Sequence, residues 1–212
     1  MERVVVKYVS DYLYEHKLIN RQQHGFITRR STSSNLLETL NDWTLGIDNG
    51  DCITVAYIDF AKAFDSVSHQ KLLYKLLNYG ISGNLLEWIK NFLCERLQCT
   101  KVGNTLSPYM YLTSGVIQGS CLGPLLFVIY INDVVTLFGH GCVCKLYADD
   151  LKLYMRMNST HCAAELQNSL DRLAYWSQMW QLNISYKNVL LCNVIIIIVV
   201  ELITAILLPQ IP

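Results

Sequence analysis

The chain has 212 residues, of which 52% are hydrophobic and 16% charged, so it can bury a sizeable core and is not disordered over most of its length. Its net charge is zero, whereas a free-standing nucleic-acid-binding protein is usually basic, so either the partner is not nucleic acid or the basic surface is local or lies outside this sequence. The eight cysteines include no C-x-x-C pair, which argues against a zinc site and predicts reduced, mostly buried thiols in an intracellular protein, nuclear or cytoplasmic.

The first elements in chain order are predicted to be two helices. Apolar residues at helical spacing predict an amphipathic helix over residues 1–16. Ser31 and Ser34 supply an N-terminal cap for a second helix that runs to about residue 47. Its predicted buried stripe is Leu36, Leu37, Leu40, Trp43 and Ile47. The irregular stretch between the helices carries a basic cluster, for which a solvated loop is the simplest interpretation: Arg21, Arg29 and Arg30.

The middle of the chain alternates between strand and helix patterns. A nearly continuous apolar run over residues 52–60 predicts a strand covered on at least one face. Helices are predicted over residues 69–78 and 84–97, followed by a hairpin over residues 98–112 with its turn at Gly103-Asn104. A glycine-rich turn region leads to Pro124, which suits the first turn of the strongly apolar segment 125–138.

The last third begins with two short strand-like runs, residues 143–146 and 151–154, around a turn. A long helix is predicted over residues 160–181, and residues 183–191 are predicted to return as a strand that contains Lys187. The apolar run over residues 193–208 is interrupted by Glu201 and is shorter than the roughly 20 residues of a membrane helix. A buried strand or a sequence that continues past the normal reading end is therefore as good an interpretation as a membrane span.

Three carboxylates are candidates for shared chemistry. Asp59 ends the strand 52–60, and Asp149 and Asp150 lie in the turn between the two later strands. Aspartate is common in turns because its side chain bonds its own backbone, and this alone would explain the adjacent pair. An ionised carboxylate at the end of a covered strand, however, costs several kcal/mol unless it is paired or metal-bound. Carboxylates on two adjacent strands suit a pair of Mg²⁺ ions about 4 Å apart, as in two-metal phosphoryl transfer.

A series of segments resembles the reverse transcriptase of non-LTR, LINE-type retrotransposons, in particular the jockey-like and CR1-like elements. The segments are QHGF at 23–26 with RST at 30–32, AYIDFAKAFDSV at 56–67, SGVIQGSCLGPLLF at 114–127 and YADD at 147–150. The first is similar to the fingers motif and the other three to the catalytic motifs, in the right order and spacing. The resemblance covers residues 1–191 and implies an α+β fold: a right-hand polymerase palm, an antiparallel sheet backed by helices, with partial fingers.

The resemblance also implies an activity and a set of roles. The family's enzyme is an RNA-directed DNA polymerase that adds dNTPs to a DNA primer on an RNA template. Asp59, Asp149 and Asp150 would be catalytic and would hold two Mg²⁺ ions, with Mn²⁺ as an alternative. Tyr147 would pack beside the primer end. The residues implied to contact the incoming nucleotide are Arg30, Phe60, Ala61, Phe64, Gln118, Gly119 and Lys187.

Several of these roles have a plain structural alternative. Phe64 would lie beneath the sugar and exclude a ribose 2′-OH, but an ordinary core aromatic fits the sequence equally well. Phe60 and Ala61 would offer backbone N–H groups to the triphosphate, as an anion-binding nest does. Arg30 suits phosphate oxygens through its guanidinium fork, and Lys187 is as readily a surface lysine.

The chain also departs from the family's pattern. Ile117 stands where the family usually has proline, and Asn188 follows Lys187 where the family has threonine or cysteine. We therefore predict a fingers–palm core over residues 1–191, truncated in the fingers, and an atypical apolar tail over residues 192–212 in place of a thumb. The alternative to a polymerase is a non-catalytic module, derived from one, that binds nucleic acid or another partner.

Overall fold

The computed structural model describes residues 1–139, 141–159 and 161–194, and it contains both helices and antiparallel strands. In chain order the elements are α1 (Glu2–Glu15), α2 (Thr32–Asp48), β1 (Cys52–Ile58), α3 (His69–Asn78), α4 (Gly83–Leu93), β2 (Leu97–Gln98), β3 (Lys101–Val102), β4 (Thr105–Leu106), β5 (Met110–Tyr111), α5 (Gly123–Ile131), β6 (Cys142–Tyr147), β7 (Asp150–Met157), α6 (His161–Trp180) and β8 (Leu190–Asn193). The α+β class predicted from the sequence is confirmed.

Two compact units share these elements. The helical unit comprises Met1–Asn20, Ala61–Asn132 and Ser177–Asn183. The sheet unit comprises Arg21–Phe60, Asp133–Trp176 and, among the described residues that follow, 184–194. The three candidate carboxylates all belong to the sheet unit.

The sheet unit is organised around four antiparallel strands in the order β6-β7-β1-β8. The register of the central pair sets Ile58 opposite Leu151 and Tyr57 opposite Lys152. Because side chains alternate between the two faces of a strand, Tyr57, Lys152 and Tyr154 share one face of the sheet. On that face Trp43 of α2 packs edge-on against Tyr154, with 6.0 Å between the ring centroids.

The α2 helix begins as predicted but buries a different face. Ser31 and Ser34 form a reciprocal capping box in which each side chain accepts the other's backbone N–H. The predicted apolar stripe is wrong for Leu36, Leu37 and Leu40, which are 52%, 67% and 41% exposed. The residues that the helix buries are Asn35, Thr39, Trp43 and Gly46. This face is buried because its polar side chains form hydrogen bonds with the sheet. Asn35 donates to the Leu146 carbonyl, and Thr39 accepts from the Lys152 ammonium.

The helical unit is centred on α5, a helix that is apolar all round. Its residues from Leu126 to Ile131 are fully buried, as expected for a helix with no polar face. The Lys75 ammonium from α3 donates to the Tyr130 carbonyl and lies 3.7 Å from the centroid of the Trp180 ring. A cation over an aromatic face compensates in part for the loss of water around this buried lysine.

Three further sequence predictions need correction. The α4 helix ends at Leu93, because the following residues enter the strand pair β2–β5 instead of continuing the helix. Lys187 lies in a short 3₁₀ turn, Tyr186–Asn188, and the last strand begins only at Leu190. The eight thiols are all free, but only Cys142 and Cys144 are buried, since most of the others lie at element ends near solvent.

The question of a membrane span concerns mainly residues that the structure does not describe. The apolar run 193–208 lies almost entirely outside the described residues. Among the residues that are described, no helix has both the length and the apolar character needed to cross a membrane.

Candidate functional site

The β6–β7 hairpin places two adjacent carboxylates at its tip. Tyr147 pairs with Asp150 across a two-residue loop made of Ala148 and Asp149, within the turn that the sequence predicted between residues 146 and 151. Ala148 has φ 56°, in the left-handed region that residues with a Cβ rarely adopt. Such a conformation persists only where the surroundings hold it, so this turn is fixed by contacts beyond its own sequence.

Asp59 reaches the same end of the sheet from the neighbouring strand. β1 ends at Ile58, which faces Leu151, so one more residue of the same register sets Asp59 beside Asp150. Directly opposed residues of an antiparallel pair have Cβ atoms about 5 Å apart. The Asn188 side chain donates an N–H to Asp59 Oδ2 at 2.6 Å, and the Ser185 N–H donates to the Asp59 carbonyl at 2.8 Å.

The electrostatics of the tip reflect this crowding of acids. Burial raises the pKa of Asp149, and the negative charges of Asp150 and Asp59 raise it further. Burial likewise raises the pKa of Asp150, again with a contribution from Asp59. Since only groups that are close exchange such effects, the three side chains act on one another as a cluster of like charges.

This cluster fits a divalent cation in its chemistry but is not a preformed cage. Carboxylate oxygens are the ligands that hard divalent ions take, and mutual repulsion among the acids is what such an ion relieves. Yet in the described part of the chain no three or more His, Cys, Asp or Glu side chains are arranged to hold a metal ion together. The predicted three-ligand cluster is therefore not formed by the side chains as they stand, because like charges repel and one oxygen of Asp59 is turned to Asn188.

A cavity of about 330 Å³ adjoins the carboxylates on the face of the sheet that α2 covers. Its lining residues are Asn35, Tyr57, Ile58, Asp59, Lys145, Tyr147, Asp150, Leu151, Lys152 and Asn188. Sequence reasoning missed the two lysines, although alternation along β6 and β7 sets both on the same face as Asp150. Lys145 and Lys152 pair directly across the strands, and Glu38 offsets their repulsion through a 2.6 Å contact to Lys145.

Two basic residues of the predicted site lie in the sheet unit, with different surroundings. Arg30 is half-buried, and its guanidinium donates to the backbone carbonyls of Arg21 and Gln23. Lys187 is exposed in the 3₁₀ turn, one residue before Asn188. Arg30 thus braces its own loop in this structure, while Lys187 stands next to the residue that contacts Asp59.

Phe60 is the last predicted nucleotide contact in the sheet unit. It is 2% exposed and its ring lies against Trp176, so its side chain belongs to the core. The other predicted contacts lie in the helical unit. The Ala61 N–H donates to the Asn183 carbonyl at 2.8 Å, so in this structure that amide is already used. Phe64 stacks on the buried Phe127 ring, with 4.2 Å between the centroids.

Gln118 and Gly119 line the surface of the helical unit. Both are exposed, and the Gln118 amide donates to the Asp65 carboxylate at 2.8 Å. Gly119 has φ 80°, and a Cβ there would meet no atom of the described residues within 4 Å, so glycine is required by backbone conformation and not by space. Asp65 was not singled out by sequence reasoning, and it fixes the orientation of the Gln118 side chain.

A buried histidine next to the turn gives the sheet unit a predicted pH dependence. His24 is 1% exposed, and burial lowers its pKa below the ordinary value, although Glu38 lies 3.3 Å from its Nε2. Below about pH 6.5 the histidine of the unfolded chain is protonated, whereas the buried histidine of the folded chain stays neutral until the pH reaches its lower pKa. The free energy of unfolding therefore decreases as the pH falls from about 6.5 toward the folded-state pKa. We expect His24→Asn to flatten this loss in urea unfolding measured from pH 7 to pH 5.

The exposed His16 provides the matched control for this experiment. His16→Asn leaves His24 in place and should keep the acid-dependent loss of stability. Equal pH dependence in the native chain and the His24→Asn variant would contradict the prediction.

Comparison with known proteins supplies a family and a set of relatives. Residues 1–192 match the family model described as reverse transcriptase (RNA-dependent DNA polymerase). The chain is 29% identical over 195 residues to the RNA-directed DNA polymerase from mobile element jockey of Drosophila melanogaster. It is 27% identical over 197 residues to the probable RNA-directed DNA polymerase from transposon BS of the same species. Each match covers 87% of this chain and 21% of the relative, so the chain spans about a fifth of their length.

Solved structures with the same fold come from telomerases. The Candida albicans telomerase in complex with a fragment of telomeric RNA superposes with a TM-score of 0.69 at 13% identity, over 90% of this chain and 34% of that one. The apo telomerase of Candida tropicalis truncated from the C-terminal domain gives 0.67 at 11% identity, over 91% and 40%. At these identities the likeness concerns the fold, and it confirms the polymerase palm architecture.

Proposed function

This chain belongs to the reverse transcriptase family, and on that premise we propose that it performs RNA-directed DNA synthesis as part of a non-LTR retrotransposon polymerase. The reaction joins the α-phosphate of a dNTP to the 3′-OH of a DNA primer on an RNA template, and it releases pyrophosphate. The observation that carries the proposal is the meeting of Asp59 with Asp149 and Asp150 at one end of an antiparallel sheet. Residues 1–191 are the proposed fingers–palm core, although the last strand, β8, continues to Asn193 and pairs with β1, so the proposed apolar tail begins after that strand.

The proposed metal ligands are the three carboxylates. Members of the family normally use divalent metal ions, and we assign Asp59, Asp149 and Asp150 to hold them, with Mg²⁺ as the metal and Mn²⁺ as a substitute. When bound, the ions would offset the negative charge that develops on the transferring phosphoryl group. The raised pKa values of Asp149 and Asp150 support this assignment, because burial first, and neighbouring negative charge second, disfavour the ionised carboxylates, and a bound cation would offset both.

The chain's own residues would bind and orient the substrates. The Asn188 amide donates to Asp59 Oδ2, and a hydrogen bond of this kind would orient the Asp59 carboxylate toward a bound cation. Tyr147 flanks the carboxylates on β6, where it would pack beside the primer end. Arg30 and Lys187 would contact the triphosphate, and Arg30 would have to release its loop carbonyls to do so.

The residues of the helical unit are proposed to recognise the nucleotide itself. Phe64, held rigid by its stack on Phe127, would form the surface beneath the sugar. Gln118, oriented by Asp65, would contact the nucleotide and template together with Gly119. Phe60 and Ala61 would contribute through their backbone, for which the Ala61 N–H must first give up its bond to Asn183.

Primer extension on an RNA template with a DNA primer, dNTPs and Mg²⁺ tests the proposal. We expect incorporation by the native chain and a decrease of about 100- to 1,000-fold in the Asp149→Asn variant, since the isosteric amide removes the negative charge. Asp171→Asn, on the exposed surface of α6, is the matched control and should extend the primer like the native chain. Incorporation that survives in Asp149→Asn would contradict the proposed site. A native chain that binds RNA without incorporation would favour the non-catalytic binding module.

A further inference from the structure

The segment that precedes α2 lies directly against the β6–β7 hairpin that carries Asp149 and Asp150. Gln23 forms an isolated parallel bridge with Leu146, the residue before Tyr147. The Leu146 N–H donates to the Gln22 carbonyl, and the His24 N–H donates to the Leu146 carbonyl, both at 2.9 Å. Two backbone hydrogen bonds therefore hold this segment in register with the end of β6, just before the turn.

The Gln23 side chain then reaches the turn itself. Its Oε1 accepts the Ala148 N–H at 2.9 Å and the Gly25 N–H at 2.7 Å. Its Nε2 donates to the Ala148 carbonyl at 3.2 Å. The side chain is fully buried, so these bonds face no competition from water and losing one would leave a buried polar group unpaired.

These contacts fix two successive peptide planes. The Ala148 N–H belongs to the peptide that joins Tyr147 to Ala148, and the Ala148 carbonyl belongs to the peptide that joins Ala148 to Asp149. Because each peptide is planar, bonding one atom of each plane restrains the two soft dihedrals of Ala148 between them. Ala148 is the residue with φ 56°, a conformation that costs of order 1–2 kcal/mol without support.

We infer that Gln23 is a positioning residue for the nucleotidyl transfer: its amide holds Ala148 in the left-handed conformation that aims the Asp149 carboxylate. The inference rests on the proposed function for its consequence in catalysis, although the contacts themselves do not. Asp149 follows directly on the restrained peptide, so a change at Ala148 swings its Cα–Cβ bond. A neutral amide is suited to the role, since it bonds both an N–H and a carbonyl and adds no charge beside the acids.

The test replaces Gln23 with methionine, which has similar length and no hydrogen-bonding amide. Single-turnover extension should show the maximal rate reduced by about 100-fold, the effect of a misplacement of roughly 1 Å, while the primer–template Kd and the dNTP Kd stay within about threefold. Gln167→Met removes an exposed glutamine bonded to Asp171 on α6 and is the matched control. A rate within about threefold of native in folded Gln23→Met would overturn the inference.

Amide hydrogen exchange gives a readout that does not depend on catalysis. In Gln23→Met the Ala148 and Gly25 amides should exchange at least about tenfold faster, while amides of the β1–β7 ladder keep their rates. If Gln23→Met does not fold, Gln23→Asn serves instead, because it keeps a neutral amide whose shorter side chain reaches less far toward Ala148. Unchanged exchange of the Ala148 amide in the variant would refute the inference that Gln23 holds Ala148. If exchange at Ala148 is faster in the variant but the native chain incorporates no nucleotide, the contact between Gln23 and Ala148 is supported and only the proposed function is contradicted.

Discussion

Replacing Gly25 with alanine is expected to push the turn at residues 147–150 off the segment that supports it and to lower the free energy of unfolding by about 3 kcal/mol. A Cβ on Gly25 would lie 2.2 Å from the Ala148 nitrogen and 2.8 Å from its Cα. These are backbone atoms of a restrained turn, so no flexible side chain can move aside. Gly25 does not have a positive φ, and the expected effect is therefore steric and not conformational.

The consequence for activity should be as large as that for stability. Displacement of Ala148 by about 1 Å carries Asp149 with it, and if Asp149 acts as proposed, such a shift reduces the rate about 100-fold. Urea unfolding and primer extension measure the two effects on the same protein. The control is Gly139→Ala, whose Cβ would come no closer than 3.3 Å to an atom at the end of the flexible Glu165 side chain. A stability loss within about 0.5 kcal/mol in Gly25→Ala would show that the contact yields, against this expectation.

The carboxylate cluster could be predicted from the sequence because it depends mainly on local rules. Strand patterns around Asp59 and around residues 143–154 define three strands, and alternation then decides which side chains share a face. A turn follows from the strand-like runs at residues 143–146 and 151–154, and the structure extends both strands until only Ala148 and Asp149 lie between them. Only the pairing of the strands is non-local, and it was inferred from the resemblance of the motif series to the family.

The partners of the site could not be predicted in the same way. The Asn188 contact to Asp59 and the Gln23 contact to Ala148 join residues 129 and 125 positions apart. The QHGF segment places Gln23 in a motif without indicating that it contacts the turn, and an isolated Asn such as Asn188 suits any loop. The Ala61 N–H was expected to be free for phosphate, yet it pairs with Asn183, which a reading of its own segment cannot reveal.

The α2 helix shows the same limit in the core. An apolar stripe is the usual sign of a buried helix face, and Leu36, Leu37 and Leu40 form one. In the fold the polar Asn35 and Thr39 lie inward instead, because their partners are contributed by the sheet more than 100 residues away. Amphipathicity predicts which face is buried only when the covering surface is itself apolar, and here it presents Lys152 and the Leu146 carbonyl.

The inward face of α2 predicts that a more hydrophobic side chain there will destabilise the protein. The Asn35 amide donates to the Leu146 carbonyl at 3.1 Å, and its oxygen lies 3.5 Å from the Lys152 ammonium. Leucine has a similar volume but cannot form either contact. In Asn35→Leu the Leu146 carbonyl therefore loses one hydrogen-bond donor, and the half-buried Lys152 loses one acceptor. We expect the free energy of unfolding to fall by about 1 to 3 kcal/mol, measured by urea denaturation.

The matched control lies two positions further along the same helix and changes a residue in the opposite sense. Leu37 is 67% exposed, so Leu37→Gln, which keeps a good helix former, should alter stability by no more than about 0.5 kcal/mol. If the apolar stripe faced the core, Leu37 would be buried and Asn35 solvated, and Leu37→Gln would be the more damaging change. The structure predicts the opposite order. A larger loss in Leu37→Gln than in Asn35→Leu would mean that α2 presents its leucines to the core. In that case the hydrogen bonds from Asn35 to the sheet would not be the contacts that hold the helix beside the β6–β7 hairpin.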